Sequence, residues 1–167
     1  TRAMEWAVTY DGPIAIKYAR GQAYYGLKDY NEPVEYGKSE ILREGSEIAL
    51  VAVGNMVEET EKLYNRFLQE GRQVTFVNAR FIKPLDKEMI DHLAETHKLI
   101  VTIEEGILHG GYGALVEEYL ESKASDVKVL PIAIEDTFVR HGSVEELRKM
   151  LKIDAESIYR RIRDIME

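Results

Sequence analysis

Apolar and polar residues alternate along this chain in two distinct periods, and the switches between them mark the elements. The longest continuous apolar run is Ile48 to Val53, which predicts a strand covered on both faces. Met56 to Glu70 then changes period, with Met56, Thr60, Leu63/Tyr64 and Phe67/Leu68 at helical spacing and Gly71 as the stop. Gln73 to Val77 reads as the next strand. Asp86 caps a helix carrying Met89, Ile90, Leu93 and Ala94. Leu99 to Ile103 is another buried strand, and Gly110 to Ser122 a helix with Leu115, Val116, Tyr119 and Leu120 on one face. Val127 to Ile134 follows as a strand. Ser143 and Glu146 form a capping box ahead of Val144, Leu147 and Leu151, and Asp154 caps a last helix bearing Ile158, Ile162 and Ile165. With the short strand Ser39 to Arg43 at the front, these units predict an α/β domain: a mostly parallel sheet with helices on both faces, in three layers.

The first 38 residues break this rhythm. Met4, Trp6, Ala7 and Tyr10 fit the end of an amphipathic helix, Asp11-Gly12-Pro13 interrupts it, and Pro13 to Tyr18 reads as a buried strand. That strand is expected to be the last of a preceding domain, since the sequence opens at Thr1 with little before it to build a sheet. Residues 21–38 hold three glycines, Pro33 and several tyrosines with little periodicity, and are expected to be a linker lying over a surface. The expected division is therefore 1–20, the tail of a preceding domain, 21–38, a linker, and 39–167, the α/β domain.

Composition narrows the function classes. A formal charge of -8 over 167 residues disfavours nucleic-acid binding, which needs a basic face. With no cysteine, disulfides, thiolate catalysis and cysteine-based metal sites are excluded. No apolar run is long enough for a membrane-spanning helix, so a cytoplasmic location is the working expectation.

Candidate chemistry is sparse. Gly106, Gly110, Gly111 and Gly113 lie between a strand and a helix, where phosphate loops occur, but they match G-x-G-x-x-G poorly. Their expected use is a tight turn and close helix–sheet packing. Glu104 and Glu105 cannot face one another as an acid–base dyad, because adjacent strand residues point to opposite faces. One of them is expected to accept backbone N–H groups at the next helix start, or to meet a partner subunit. His92, His97, His109 and His141 show no metal-ligand spacing; His109 and His141 precede glycines and could line a cleft. Arg80 ends a strand in Asn78-Ala79-Arg80-Phe81-Ile82-Lys83-Pro84-Leu85-Asp86, where pairing with a carboxylate is the simplest use. The sharpest candidate is Arg20, a permanently charged fork after an apolar stretch and beside Gly21, suited to phosphate or carboxylate.

Four segments in order carry a family resemblance: Gly12 to Gly21; Asn78 to Asp86; Val101-Thr102-Ile103-Glu104-Glu105-Gly106 with Gly110-Gly111-Tyr112-Gly113; and Phe138 with His141-Gly142-Ser143. From about Gly12 onward the chain resembles the C-terminal part of the 1-deoxy-D-xylulose-5-phosphate synthases, enzymes of the transketolase superfamily. The resemblance implies a thiamine-diphosphate- and magnesium-dependent homodimeric transferase of isoprenoid and thiamine biosynthesis, condensing pyruvate with glyceraldehyde 3-phosphate. It further implies that 1–20 ends a pyrimidine-binding domain and that Arg20 grips the aldehyde's phosphate, with Lys17, Arg80 and His109 as auxiliary candidates. By the same resemblance the catalytic glutamate, the thiamine site and the metal ligands belong to other domains, so this segment alone is expected to be inactive and to bind no cofactor. Lys17 and Ala19 depart from the family's usual Arg-Tyr-Pro-Arg-Gly, and Ala133-Ile134-Glu135-Asp136 from its Gly-Ile-Pro-Asp. The alternative is a non-catalytic dimerisation or scaffold domain of another superfamily member, such as a 2-oxo-acid dehydrogenase beta subunit.

Overall fold

A computed structural model describes residues 2–18 and 24–167. Its centre is a five-stranded sheet in the order β1-β3-β2-β4-β5. The strands are β1 (Glu40–Arg43), β2 (Glu47–Ala52), β3 (Thr75–Asn78), β4 (His97–Ile107) and β5 (Lys128–Ile134). β1 runs antiparallel to β3, and the β2–β3, β2–β4 and β4–β5 pairs are parallel. The helices are α1 (Arg2–Ala7), α2 (Met56–Gln69), α3 (Lys87–Thr96), α4 (Tyr112–Ser122), α5 (Val144–Met150) and α6 (Ala155–Met166).

β2 shows how sequence period becomes layered structure. Ile48 and Leu50 point to one side, where they meet Met56, Leu63 and Phe67 of α2 and Ile158 and Ile162 of α6. Ala49 and Val51 point to the other, against Ile90 and Leu93 of α3 and Tyr112 and Val116 of α4. A strand walled on both faces must be apolar at every position, which is why this run does not alternate. Each large side chain fully buried here contributes about 1.5–3 kcal/mol relative to exposure.

The anticipated caps are present. The Asp86 carboxylate accepts from Met89 N, and that of Asp154 accepts from Ser157 N. Ser143 and Glu146 close a complete capping box at the start of α5.

Two local expectations change. β4 extends beyond 99–103 to His97–Ile107, because its ladder with β5 breaks after Ile103 and resumes with Ile107 opposite Ile134. That irregularity carries Glu104 and Glu105 inside the strand rather than at its end. Residues 13–18, expected as a buried strand, form none: Ile14 is 44% exposed and Tyr18 84%. A strand needs a neighbouring edge for its N–H and C=O groups, and none of the five strands pairs with this segment. Ahead of the sheet, Tyr24, Leu27 and Tyr30 pack on Leu42, Val57 and Phe76. α1 meets the rest of the molecule through Arg2, which donates to the Glu32 carbonyl at 3.2 Å, and through Trp6, which with Tyr10 beyond the helix stacks on Tyr36 while Phe81 contacts Trp6 edge-on.

Candidate functional site

The carboxyl ends of β2 and β4 bring together residues far apart in sequence, and Glu105 is the point where they meet. Its Oε1 accepts from Arg148 Nε of α5 at 2.7 Å, and its Oε2 from Asn55 Nδ2 just after β2. Its backbone carbonyl accepts from Lys17 Nζ at 3.2 Å. Arg148 is 8% exposed and also faces Glu59 of α2 at 3.4 Å. The second Glu59 oxygen accepts from Ala155 N at the start of α6, and Lys62 lies beside the first. One buried cation is thus shared between two carboxylates, the arrangement that makes such a charge tolerable in a low-dielectric interior.

Glu104 serves the opposite face of the same strand. It is 5% exposed, and its Oε1 accepts from Gly113 N at 2.9 Å in the first turn of α4. The helix start where an anion could sit is therefore filled by the protein's own carboxylate. Gly111 and Gly113 beside it permit close approach, while Gly110 takes a left-handed backbone, φ 81°. A Cβ on Gly111 would stand 2.3 Å from the Ile107 carbonyl, and one on Gly113 2.6 Å from Thr102 Oγ1. Packing, not ligand contact, accounts for these glycines, and the adjacent glutamates split to the two faces as strand geometry requires. Beside them Tyr112 is fully buried, and burial raises its phenol above the ordinary range.

Arg80 lies elsewhere. Its Nη2 stands 2.6 Å from a carboxylate oxygen of Glu40, which is 4% exposed, and its guanidinium donates to the backbone carbonyls of Pro33 at 2.9 Å and Glu32 at 3.1 Å. Neither Glu40 oxygen has an aligned hydrogen-bond donor, so the Arg80–Glu40 contact acts as an ion pair. Arg80 adopts a left-handed backbone, φ 52°, held by this clamp on residues 32–33. These contacts leave its fork committed within the protein. His109 and His141 are exposed, and among the described residues no three His, Asp or Glu side chains gather to hold a metal. Arg20, with residues 19 and 21–23, lies outside the described residues. Of the four candidates, the structure ties Lys17 to Glu105, commits Arg80 to Glu40, and leaves His109 at the surface.

Arg148, Asn55 and Glu59 were not singled out from sequence. A signal existed for Arg148. It stands four residues after Val144 and three before Leu151, a cation on the stripe of α5 read as apolar.

Comparison with known proteins agrees with this architecture. Residues 37–158 match the family model of the transketolase C-terminal domain. The chain is 43% identical over 162 residues to 1-deoxy-D-xylulose-5-phosphate synthase of Lachnoclostridium phytofermentans, covering 96% of this chain and 26% of that protein. Against the synthase of Heliobacterium modesticaldum the identity is 40% over 162 residues, covering 96% of this chain and 25% of that one. The chain thus spans about a quarter of the length of these curated relatives. Among solved structures, a split-gene transketolase described as an inactive beta4 tetramer superposes with a TM-score of 0.72 at 25% identity, over 80% of this chain and 43% of its own. With the mostly parallel sheet, its two helical layers and a family match over most of its length, the chain belongs to the transketolase C-terminal domain family.

Proposed function

We propose that this chain is the C-terminal part of a thiamine-diphosphate-dependent transferase that condenses pyruvate with glyceraldehyde 3-phosphate to give 1-deoxy-D-xylulose 5-phosphate. The observation that carries the reading is the 40–43% identity to synthases of that name, which extends over 96% of the chain rather than over the sheet alone. In this reading residues 1–20 end the preceding pyrimidine-binding domain, residues 21–38 connect it, and Arg20 receives the phosphate of the aldehyde. A guanidinium suits that task because its planar fork bonds two phosphate oxygens at once and stays charged at any working pH.

Thiamine diphosphate supplies the carbanion chemistry of such an enzyme. The described residues of this chain do not fit that group or its magnesium. Glu104 already fills the N-terminus of α4, and no cluster of three metal-ligating side chains is present among them. In this reading, as the family resemblance implies, the cofactor and its magnesium belong to other domains of the enzyme, and the segment alone is inactive. The enzyme is a homodimer of the cytoplasm in this reading. Among the described residues no helix is long and apolar enough to cross a membrane.

The test is Arg20→Ala in the full-length enzyme. KM for glyceraldehyde 3-phosphate should rise while the affinity for thiamine diphosphate, measured by titration, stays the same. An unchanged KM would remove the substrate-binding role and leave this chain as architecture within the superfamily.

A further inference from the structure

We infer that Phe138 anchors the preceding domain of the enzyme where it docks across the carboxyl ends of the strands, its ring entering an apolar cavity on that domain; this rests on the domain division proposed above. The described residues ahead of the linker touch this end of the sheet at two places. Arg2 of α1 stands 3.9 Å from Glu40, which pairs with Asn78, the last residue of β3. Trp6 meets Phe81, just beyond β3, with ring centres 5.3 Å apart. Farther along, Lys17 donates to the Glu105 carbonyl near the end of β4 at 3.2 Å. A domain that ends in this segment therefore has its body beside the carboxyl ends of the strands.

Phe138 stands in the path of that body. It lies shortly after Ile134, the last residue of β5, and Ile134 pairs with Ile107 of β4. β3 and β5 are separated by β2 and β4, a span of about 14 Å, well within the width of a folded domain. Phe138 is fully exposed, and Val139 beside it, with Val144 and Ile107 at the same end, is exposed as well. Val144 opens α5, and Arg148 one turn later bonds Glu105, so the group borders the Lys17 contact. Ile14 and Ile16 of the incoming segment are exposed too. Single apolar residues at a surface are ordinary, but a group gathered at one end marks a face made to be covered. The synthase of Lachnoclostridium phytofermentans is matched over 26% of its length, so a protein of that size has ample chain to cover it.

The experiment places photoreactive p-benzoylphenylalanine in the full-length enzyme in place of Phe138, Tyr18 or Leu68. Leu68 is also exposed but lies in the last turn of α2, toward the amino ends of the strands, and is the control. Irradiation at position 138 should join it to residues of the preceding domain, in a product with the mass of one chain on a denaturing gel, and position 68 should give no such link. A product of twice that mass places a second copy on the face and overturns the inference; so does the absence of any link. Links from position 18 without any from 138 keep the domain division and reject the docking, whereas links from neither reject both. Phe138→Asp in the full-length enzyme should speed tryptic cleavage within residues 24–38 by about tenfold, because parting the domains bares the connecting stretch, and one large apolar side chain losing its cover supplies that order of effect. Phe138→Leu, which stays apolar, should change the rate little. An unchanged rate in Phe138→Asp overturns the inference. The KM of Arg20→Ala is read separately: a raised KM without a link from position 138 keeps the substrate reading and rejects the docking.

Discussion

The sheet with its helices and the first 38 residues are held together by different physics. In the sheet, strands such as β2 are buried on both sides, and α2, α3, α4 and α6 contribute apolar faces to two continuous clusters. In residues 2–18 and 24–38 the contacts are lateral and few: Trp6 and Tyr10 stack on Tyr36, Tyr24, Leu27 and Tyr30 pack on Leu42, Val57 and Phe76, Arg80 holds the carbonyls of residues 32 and 33, and Lys17 reaches one carbonyl of β4. The first region owes its shape to area removed from water, which is collective. The described part of the second owes it to stacked rings, one small apolar cluster and a few single hydrogen bonds and ion pairs.

This contrast can be broken at several points. Phe67, fully buried against Tyr159, should give the largest effect. Phe67→Ala is expected to cost about 4 kcal/mol in urea denaturation, from lost transfer energy and the cavity left behind. Arg80→Met should come next, at about 3 kcal/mol, because it leaves the buried Glu40 carboxylate without its near counter-charge. It should also speed proteolytic cleavage within residues 24–38. A fall in stability without faster cleavage there would show that the stretch is held by its tyrosines instead. Trp6→Ala, equally aromatic but in the lateral region, should cost only about 1 kcal/mol, the order of surface aromatic pairs. A loss matching that of Phe67→Ala would erase the distinction between the two regions. Ser143→Ala removes the capping box of α5 and should also cost about 1 kcal/mol.

The smallest effect concerns pH. Partial burial holds the His97 imidazole below its ordinary value, so the folded state binds a proton less readily than the unfolded chain. Its contribution is fully present above the unfolded value near 6.5 and is lost as pH falls through the lower folded value. His97→Gln should therefore flatten the loss of stability as pH falls below about 6.5. Equal slopes for the two proteins, measured by urea denaturation as pH falls below 6.5, would show that His97 does not carry the acid sensitivity.

Much of the fold was legible in the sequence because local rules and tertiary structure agree there. The run at 48–53, the helical spacing from Met56 and the caps at Asp86, Ser143 and Asp154 all appear where their periods place them. The opposed roles of Glu104 and Glu105 follow from strand geometry alone. The stretch 13–18 shows the limit: an apolar pattern is compatible with a strand, but only a neighbouring edge makes one. The candidate site was less legible. Arg80 was visible as a cation at a strand end, yet its partner Glu40 lies forty positions earlier. Arg148 becomes informative only once α5 is folded over the end of β4.

The sequence by itself determined the class of fold, the helix caps and the absence of cysteine chemistry, because these depend on residue type and on spacing within one element. Only the tertiary structure decided the strand order, the filling of the α4 terminus by Glu104, and the convergence of Lys17, Asn55 and Arg148 on Glu105. Those relations join residues that no local period connects, and they exist because packing the two helical layers brings distant strand ends to the same place.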